Sequence, residues 1–201
     1  MGHMGQQLGQ RDLTALSRRE MGARDFIWLA ALGTAARGPA GLEDVCHAID
    51  VITLGQWLPV GELVTASVDE MARGGHLCAV SGRDGCMQLT GRGRETLSLL
   101  LGQPIARPSS VFGQVGLRMK LAFLDLVDAG ERRVHLDGLI NLFEDELDRR
   151  QSGADRCAAR GSFGDLWRSH DIDRLRRDIA LLRSMAGMMA GMAAGVPATR
   201  H

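Results

Sequence analysis

"SGRDGCMQLTGRGRET", Ser81 to Thr96, packs three local signals into one short stretch. Gly82-Arg83-Asp84-Gly85 separates two brief β-capable runs, "HLCAV" (76–80) and "CMQLT" (86–90), the pattern of a hairpin with a solvated tip. The second run leads straight into a helix, with Thr90 at the N-cap position and Glu95, Leu97, Leu99 and Leu100 carrying it on. A hairpin at the back of a small helical domain predicts a wing. The fold then depends on what precedes it.

Three helical patterns precede it. Phe26, Ile27, Leu29, Ala30 and Leu32 to Ala36 form an apolar run that "RGPAG" (37–41) stops. A second helix is expected from Gly41 or Leu42 through Ile49, with Leu42, Val45, Cys46 and Ile49 on one face. "TLGQWLP" (53–59) reads as a turn. A third helix is expected over Val60 to Arg73, with Leu63, Val64, Val68 and Met71 inward and Gly74-Gly75 ending it. Helix, helix, helix, two-stranded wing is the winged helix-turn-helix order.

Beyond the wing, two prolines in "LGQPIARPSS" (101–110) mark a boundary. The remainder is helical in pattern. Val115 to Val127 is apolar-rich, and Val134 to Arg150 carries Leu136, Leu139, Ile140, Phe143 and Leu147 on a stripe. In the last helix Ile172, Leu175, Ile179, Leu182, Ala186 and Met189 alternate spacings of three and four, a coiled-coil-like seam. Such a seam requires a partner helix, from its own chain or from a second copy, and a homodimer built on it is the expectation. The fold class expected is therefore mainly α with a small β-hairpin. An arm over 1–24 begins with a cloning remnant, a winged helix-turn-helix domain spans 25–102, a helical dimerisation domain spans 111–190, and a flexible tail covers 191–201.

Composition narrows the function. The chain has 201 residues with 24 Lys+Arg against 24 Asp+Glu, so any attraction to phosphate must come from local clustering. Cys46, Cys78, Cys86 and Cys157 are scattered without a C-x-x-C pair, and neither a disulfide framework nor a metal site is expected. No run approaches the ~20 apolar residues of a membrane span, and a signal-peptide order is lacking, so a cytoplasmic location is expected. Glu144, Asp145 and Glu146 are consecutive and point around a helix, and no phosphate loop or nucleophile elbow occurs, so no catalysis and no cofactor is expected.

The order of segments resembles the PadR family of winged-helix transcriptional regulators. "LAALGTAARGPAGLEDV" (29–45) is similar to that family's first-helix, Gly-Pro, second-helix passage, and "LPVGELVTASVDEMARGGHL" (58–77) to its recognition helix. "MQLTGRGRETL" (87–97) is similar to the closing wing strand and following helix, and "KLAFLDLVDAGERRVHLDGLINLFEDELDRR" (120–150) to the C-terminal segment. The resemblance implies a dimeric bacterial regulator, expected to be a repressor, that binds a pseudo-palindromic site in double-stranded DNA. The residues placed on DNA are Gly61, Thr65 and Ser67 on the recognition helix, Arg83 at the wing tip, and Arg92 and Arg94 after the wing. It also implies a small planar aromatic effector, with Trp28, Trp57 and Trp167 as the candidate pocket residues. The recognition helix holds Glu62, Asp69 and Glu70 and no Lys or Arg before Arg73. An alternative reading follows from this acidity: a winged-helix interaction module, or an antagonist of another regulator, that does not itself bind DNA.

Overall fold

The computed structural model describes residues 19–152 and 161–194. Most of the N-terminal arm and of the tail, together with Cys157 and the connection around it, lies outside the described residues. Helices α1 (Ala23–Arg37), α2 (Leu42–Thr53) and α3 (Gly61–Arg73) precede the hairpin of β1 (Leu77–Ala79) and β2 (Met87–Leu89). Helices α4 (Gly91–Gly102) and α5 (Val111–Phe123), a 3₁₀ turn at Leu124–Leu126, α6 (Ala129–Gln151) and α7 (Ser162–Ala194) follow. The fold is mainly helical with one small antiparallel hairpin.

The chain divides into two compact units. The first runs to Ala106 and resumes over Ser110–Val127. Its centre is α1, which is apolar around most of its circumference because α2, α3, α4 and α5 all pack on it. Phe26, Ile27, Leu29, Ala30 and Leu32 are sealed from water, and Val45, Ile49, Val64 and Met71 close in from α2 and α3. The helix starts at a buried carboxylate. Asp25 accepts from the Gly22 amide at 2.8 Å and takes both Arg19 nitrogens at 2.7 and 2.8 Å, so its charge is satisfied at the end where the helix dipole favours it.

The boundary between units departs from the sequence expectation. Helix α5 was expected to open the helical C-terminal domain, yet it closes the first unit. Val115, Met119 and Phe123 are buried, and Phe123 lies so close to α1 that a Cβ on Gly33 would stand 2.4 Å from its ring. The glycine permits the approach. Lys120 is buried on the same helix and donates its ammonium to the Leu101 carbonyl, one of the unpaired acceptors at the end of α4. Burial lowers its pKa from 10.5 to about 8.

The second unit comprises Arg107–Ser109 and residues from Asp128 on. Its core is the α6–α7 pair. Leu136, Leu139 and Phe143 of α6 and Leu175, Ile179, Leu182 and Ala186 of α7 are buried, while Ile172 and Met189 are half-buried. This corrects the expectation that the α7 seam is the dimer interface. The α6 stripe covers that seam within the chain, and Arg183 to Glu144 (2.6 Å) and Arg150 to Asp171 (3.5 Å) tie the two helices beside it. Glu146 is held ionised in this pair. Burial alone would push its pKa up, but the Ser109 hydroxyl at 2.8 Å and the guanidinia of Arg149 and Arg150 bring it below the ordinary value.

Candidate nucleic-acid interface

The wing is short and firmly anchored. Its register pairs Leu77 with Leu89, Cys78 with Gln88 and Ala79 with Met87. The tip turns through Gly82 (φ 78°) and Gly85 (φ 73°), where a side chain would be strained. Ala40, in the segment that breaks α1 from α2, exchanges two 2.9 Å backbone hydrogen bonds with Met87. This bridge holds the wing to the helical core, and the Gly-Pro pair ahead of Ala40 ends α1 before it.

Where β2 passes into α4 the chain makes a dense corner. Thr90 caps α4, its hydroxyl oxygen accepting from the Gly93 amide at 3.0 Å and donating towards the carbonyls of Gly75 (2.7 Å) and His76 (3.0 Å). A Cβ on Gly93 would stand 2.1 Å from the His76 carbonyl oxygen, so the helix start is pressed against the wing's first strand. The His76 ring is buried. Its Nδ1 is 3.1 Å from the Thr96 hydroxyl, and it meets Trp28 edge-on at 5.2 Å. Arg24 lies over Trp28 at 5.0 Å and pairs with Glu70 near the end of α3. Desolvation first, and repulsion by the Arg92 guanidinium second, hold the His76 imidazole below its ordinary value. Sequence reading missed this cluster, because Glu70, His76 and Thr96 lie far along the chain from the Arg24 and Trp28 pair on α1.

The corner presents cations where helix electrostatics disfavours them. Arg92 and Arg94 stand in the first turn of α4, which holds no acidic residue, and both are exposed. Positive charge at a helix N-terminus opposes the dipole by about 0.3–1 kcal/mol each. Arg83 is exposed at the wing tip, at the other end of β2. Among the described residues none of the three is in an ion pair.

Helix α3 presents the opposite surface. Gly61 and Thr65 are exposed as expected, and the Thr65 hydroxyl donates to the Gly61 carbonyl at 3.0 Å. Ser67 is buried, which corrects its placement on the outer face: it falls between Val64 and Met71 on the inward stripe at helical spacing. Glu62 and Asp69 are exposed. Between α2 and α3 the turn exposes Leu54 (68%), Leu58 (64%) and Val60 (71%), with Leu54 in the left-handed region at φ 53°. The run "LGQWLPV" carried these apolar residues without periodicity, which left their exposure illegible.

Within the first unit the candidate pocket residues Trp28 and Trp57 do not converge. Trp57 meets Phe26 edge-on at 5.5 Å, whereas Trp28 turns towards His76. Residues 26 and 28 are about 200° apart around a helix, so the two tryptophans attach to different faces of α1. Trp167, in the second unit, is 69% exposed and lies 5.4 Å from His170.

The profile of the family described as "Putative AphA-like transcriptional regulator" matches residues 17–186. The chain belongs to that family. Among solved structures, this AphA-like regulator is similar to Bacillus subtilis PadR at 14% identity, covering 86% of this chain and 99% of PadR with a TM-score of 0.38. PadR with p-coumaric acid matches at 14% identity, 85% and 98% coverage and a TM-score of 0.38. PadR with operator DNA matches at 18% identity, 81% and 98% coverage and 0.35. None of the curated proteins matches this chain. No helix among the described residues is long and apolar enough to cross a membrane.

Proposed function

We propose that this AphA-like regulator is a cytoplasmic, non-enzymatic repressor that binds double-stranded DNA as a homodimer. The corner formed by the wing and the start of α4 supplies the phosphate contacts. The observation that carries this is the pair Arg92 and Arg94 in the first turn of α4. They oppose the helix dipole, and they are not paired to acids among the described residues. Arg83 extends the positive rim along the wing. Helix α3 contributes Gly61 and Thr65 to the contact surface, and base discrimination falls to Thr65.

The dimer needs a surface other than the α7 seam. Phe163, Leu166 and Trp167 sit at helical spacing near the start of α7 and are strongly exposed, Phe163 at 86%. A second copy covering them removes large apolar side chains from water. Light scattering at micromolar concentration should give a dimer, and Leu166→Glu with Trp167→Glu should give a folded monomer. A monomeric wild type would contradict the dimer.

Fluorescence anisotropy with a duplex from upstream of the regulator's own gene tests DNA binding. Wild type should bind, and Arg83→Ala/Arg92→Ala/Arg94→Ala should weaken binding on the order of a hundredfold for all sequences alike. A second reading is favoured by one observation, the apolar α2–α3 turn beside the acids of α3. Absence of DNA binding by the dimer would make that surface a protein-docking face and the chain an interaction module.

A further inference from the structure

A cavity of about 360 Å³ lies inside the first unit, between α3, the hairpin and α1, open to solvent on one side. Its size falls within the range of about 300–1,000 Å³ typical of small-molecule sites. Six of its wall residues are alanine or glycine, and Leu42, Val45, Val68 and Leu77 add larger apolar side chains. Ala31 and Ala35, one turn apart on α1, face it together with Ala40 and Ala79, and Met87 adds a thioether. The glycines Gly41 and Gly85 border it where the wing meets the α1–α2 segment, and a Cβ on Gly41 would stand 3.6 Å from the Gly85 carbonyl oxygen.

The polar groups on these walls are few and of one kind. Thr65 and Asp69 stand one turn apart on α3, and both line the cavity. The Thr65 proton is directed to the Gly61 carbonyl at 3.0 Å, which leaves the hydroxyl oxygen as an acceptor. The Asp69 carboxylate accepts only. Cys86 adds no more than a weak donor, and no Lys, Arg or His lines the space. An occupant must therefore supply donors and positive charge at one end and a compact apolar body at the other. A primary ammonium has three donors and no acceptor.

We propose that the cavity between the recognition helix and the wing binds a small primary amine with a compact apolar body, its ammonium on Asp69 and Thr65 and its body against the alanine wall. This goes beyond the DNA reading and is measured without DNA, so the failure of one leaves the other standing. An occupant bridges α3 to the hairpin, the two elements that present the candidate DNA surface.

The test uses three probes with the same ring: 2-phenylethylamine, 2-phenylethanol and phenylacetate. Titration of the full chain, followed by amide chemical shifts, should show the amine binding at least tenfold more tightly than phenylacetate, with the alcohol between them. The shifted amides should include those of Ala35, Ala79 and Asp69. Asp69→Asn should bring the amine level with the alcohol while alcohol binding persists. Ala79→Leu, at an exposed position of the hairpin, and Ala35→Leu should each abolish binding of all three probes. If Ala35→Leu does not fold, Ala79→Leu decides. Equal affinity for amine and acid, unchanged binding in folded Ala79→Leu, or no binding of any probe to wild type would overturn the proposal.

Discussion

Helix α3 and the wing–α4 corner belong to one unit, yet they carry opposite chemistry. The helix that the winged order assigns to the major groove exposes Glu62, Asp69 and an apolar approach at Leu58 and Val60. The wing tip exposes Arg83 and the corner Arg92 and Arg94, beside the exposed acids Asp84 and Glu95, and the corner buries a tightly fitted joint at His76, Gly93 and Thr96. In the proposed DNA complex the difference separates two tasks that one helix often combines. Phosphate attraction is long-ranged and can be supplied from the flank, whereas base reading needs short polar side chains within reach of an edge.

The joint should respond to bulk far more than the helix start does. Gly93→Val forces a side chain into the His76 carbonyl, and overpacking of this kind destabilises by about 1–3 kcal/mol. Gly61→Ala meets nothing within 4 Å and should leave the melting temperature unchanged or slightly raised. Calorimetry on both variants breaks the comparison if Gly93→Val melts with wild type.

Charge removal on α3 should act next in size and with the opposite sign to charge removal at the corner. Glu62→Gln with Asp69→Asn removes two carboxylates that repel phosphate. DNA affinity should rise about threefold to tenfold at low salt, in line with the modest energies of solvent-screened charges. An unchanged affinity in anisotropy would place α3 away from the duplex.

Protonation of His76 should loosen the joint by a smaller amount. Its folded pKa is depressed by burial and by Arg92, so above pH 6.5 the imidazole is neutral in both folded and unfolded chains. As pH falls through 6.5 the unfolded chain takes up the proton first, and stability declines until the folded pKa is passed. Urea midpoints between pH 8 and 5 should fall more for wild type than for His76→Gln. Parallel curves would remove His76 from the joint.

How much of this was legible in the sequence follows from how local each signal is. The wing was readable because Gly82, Gly85 and Thr90 act within a few residues, and Thr90 does cap α4. The inward stripe of α3 was readable from Val64 and Met71, but Ser67 was placed outward by its polarity although helical spacing puts it between them. The α7 seam was visible and its partner was not: periodicity shows that a face needs covering, and only the packing of Leu136, Leu139 and Phe143 shows that α6 covers it. Helix α5 was assigned past a proline-rich boundary, while its anchor, Phe123 over Gly33, is a contact between residues far apart in sequence. The Arg24–Trp28–His76–Thr96 cluster left no pattern at all.

In the proposed complex Arg83 at the wing tip and Arg92 and Arg94 at the corner, not α3, hold the phosphate-neutralising charge. The slope of log affinity against log salt, measured for wild type and Arg83→Ala/Arg92→Ala/Arg94→Ala on the same duplex, reads that charge. Each phosphate contact contributes about 0.9 to that slope. The variant's slope should be shallower by about 2.7 per subunit, with the variant's fold and oligomeric state intact. Equal slopes for the two proteins would contradict it.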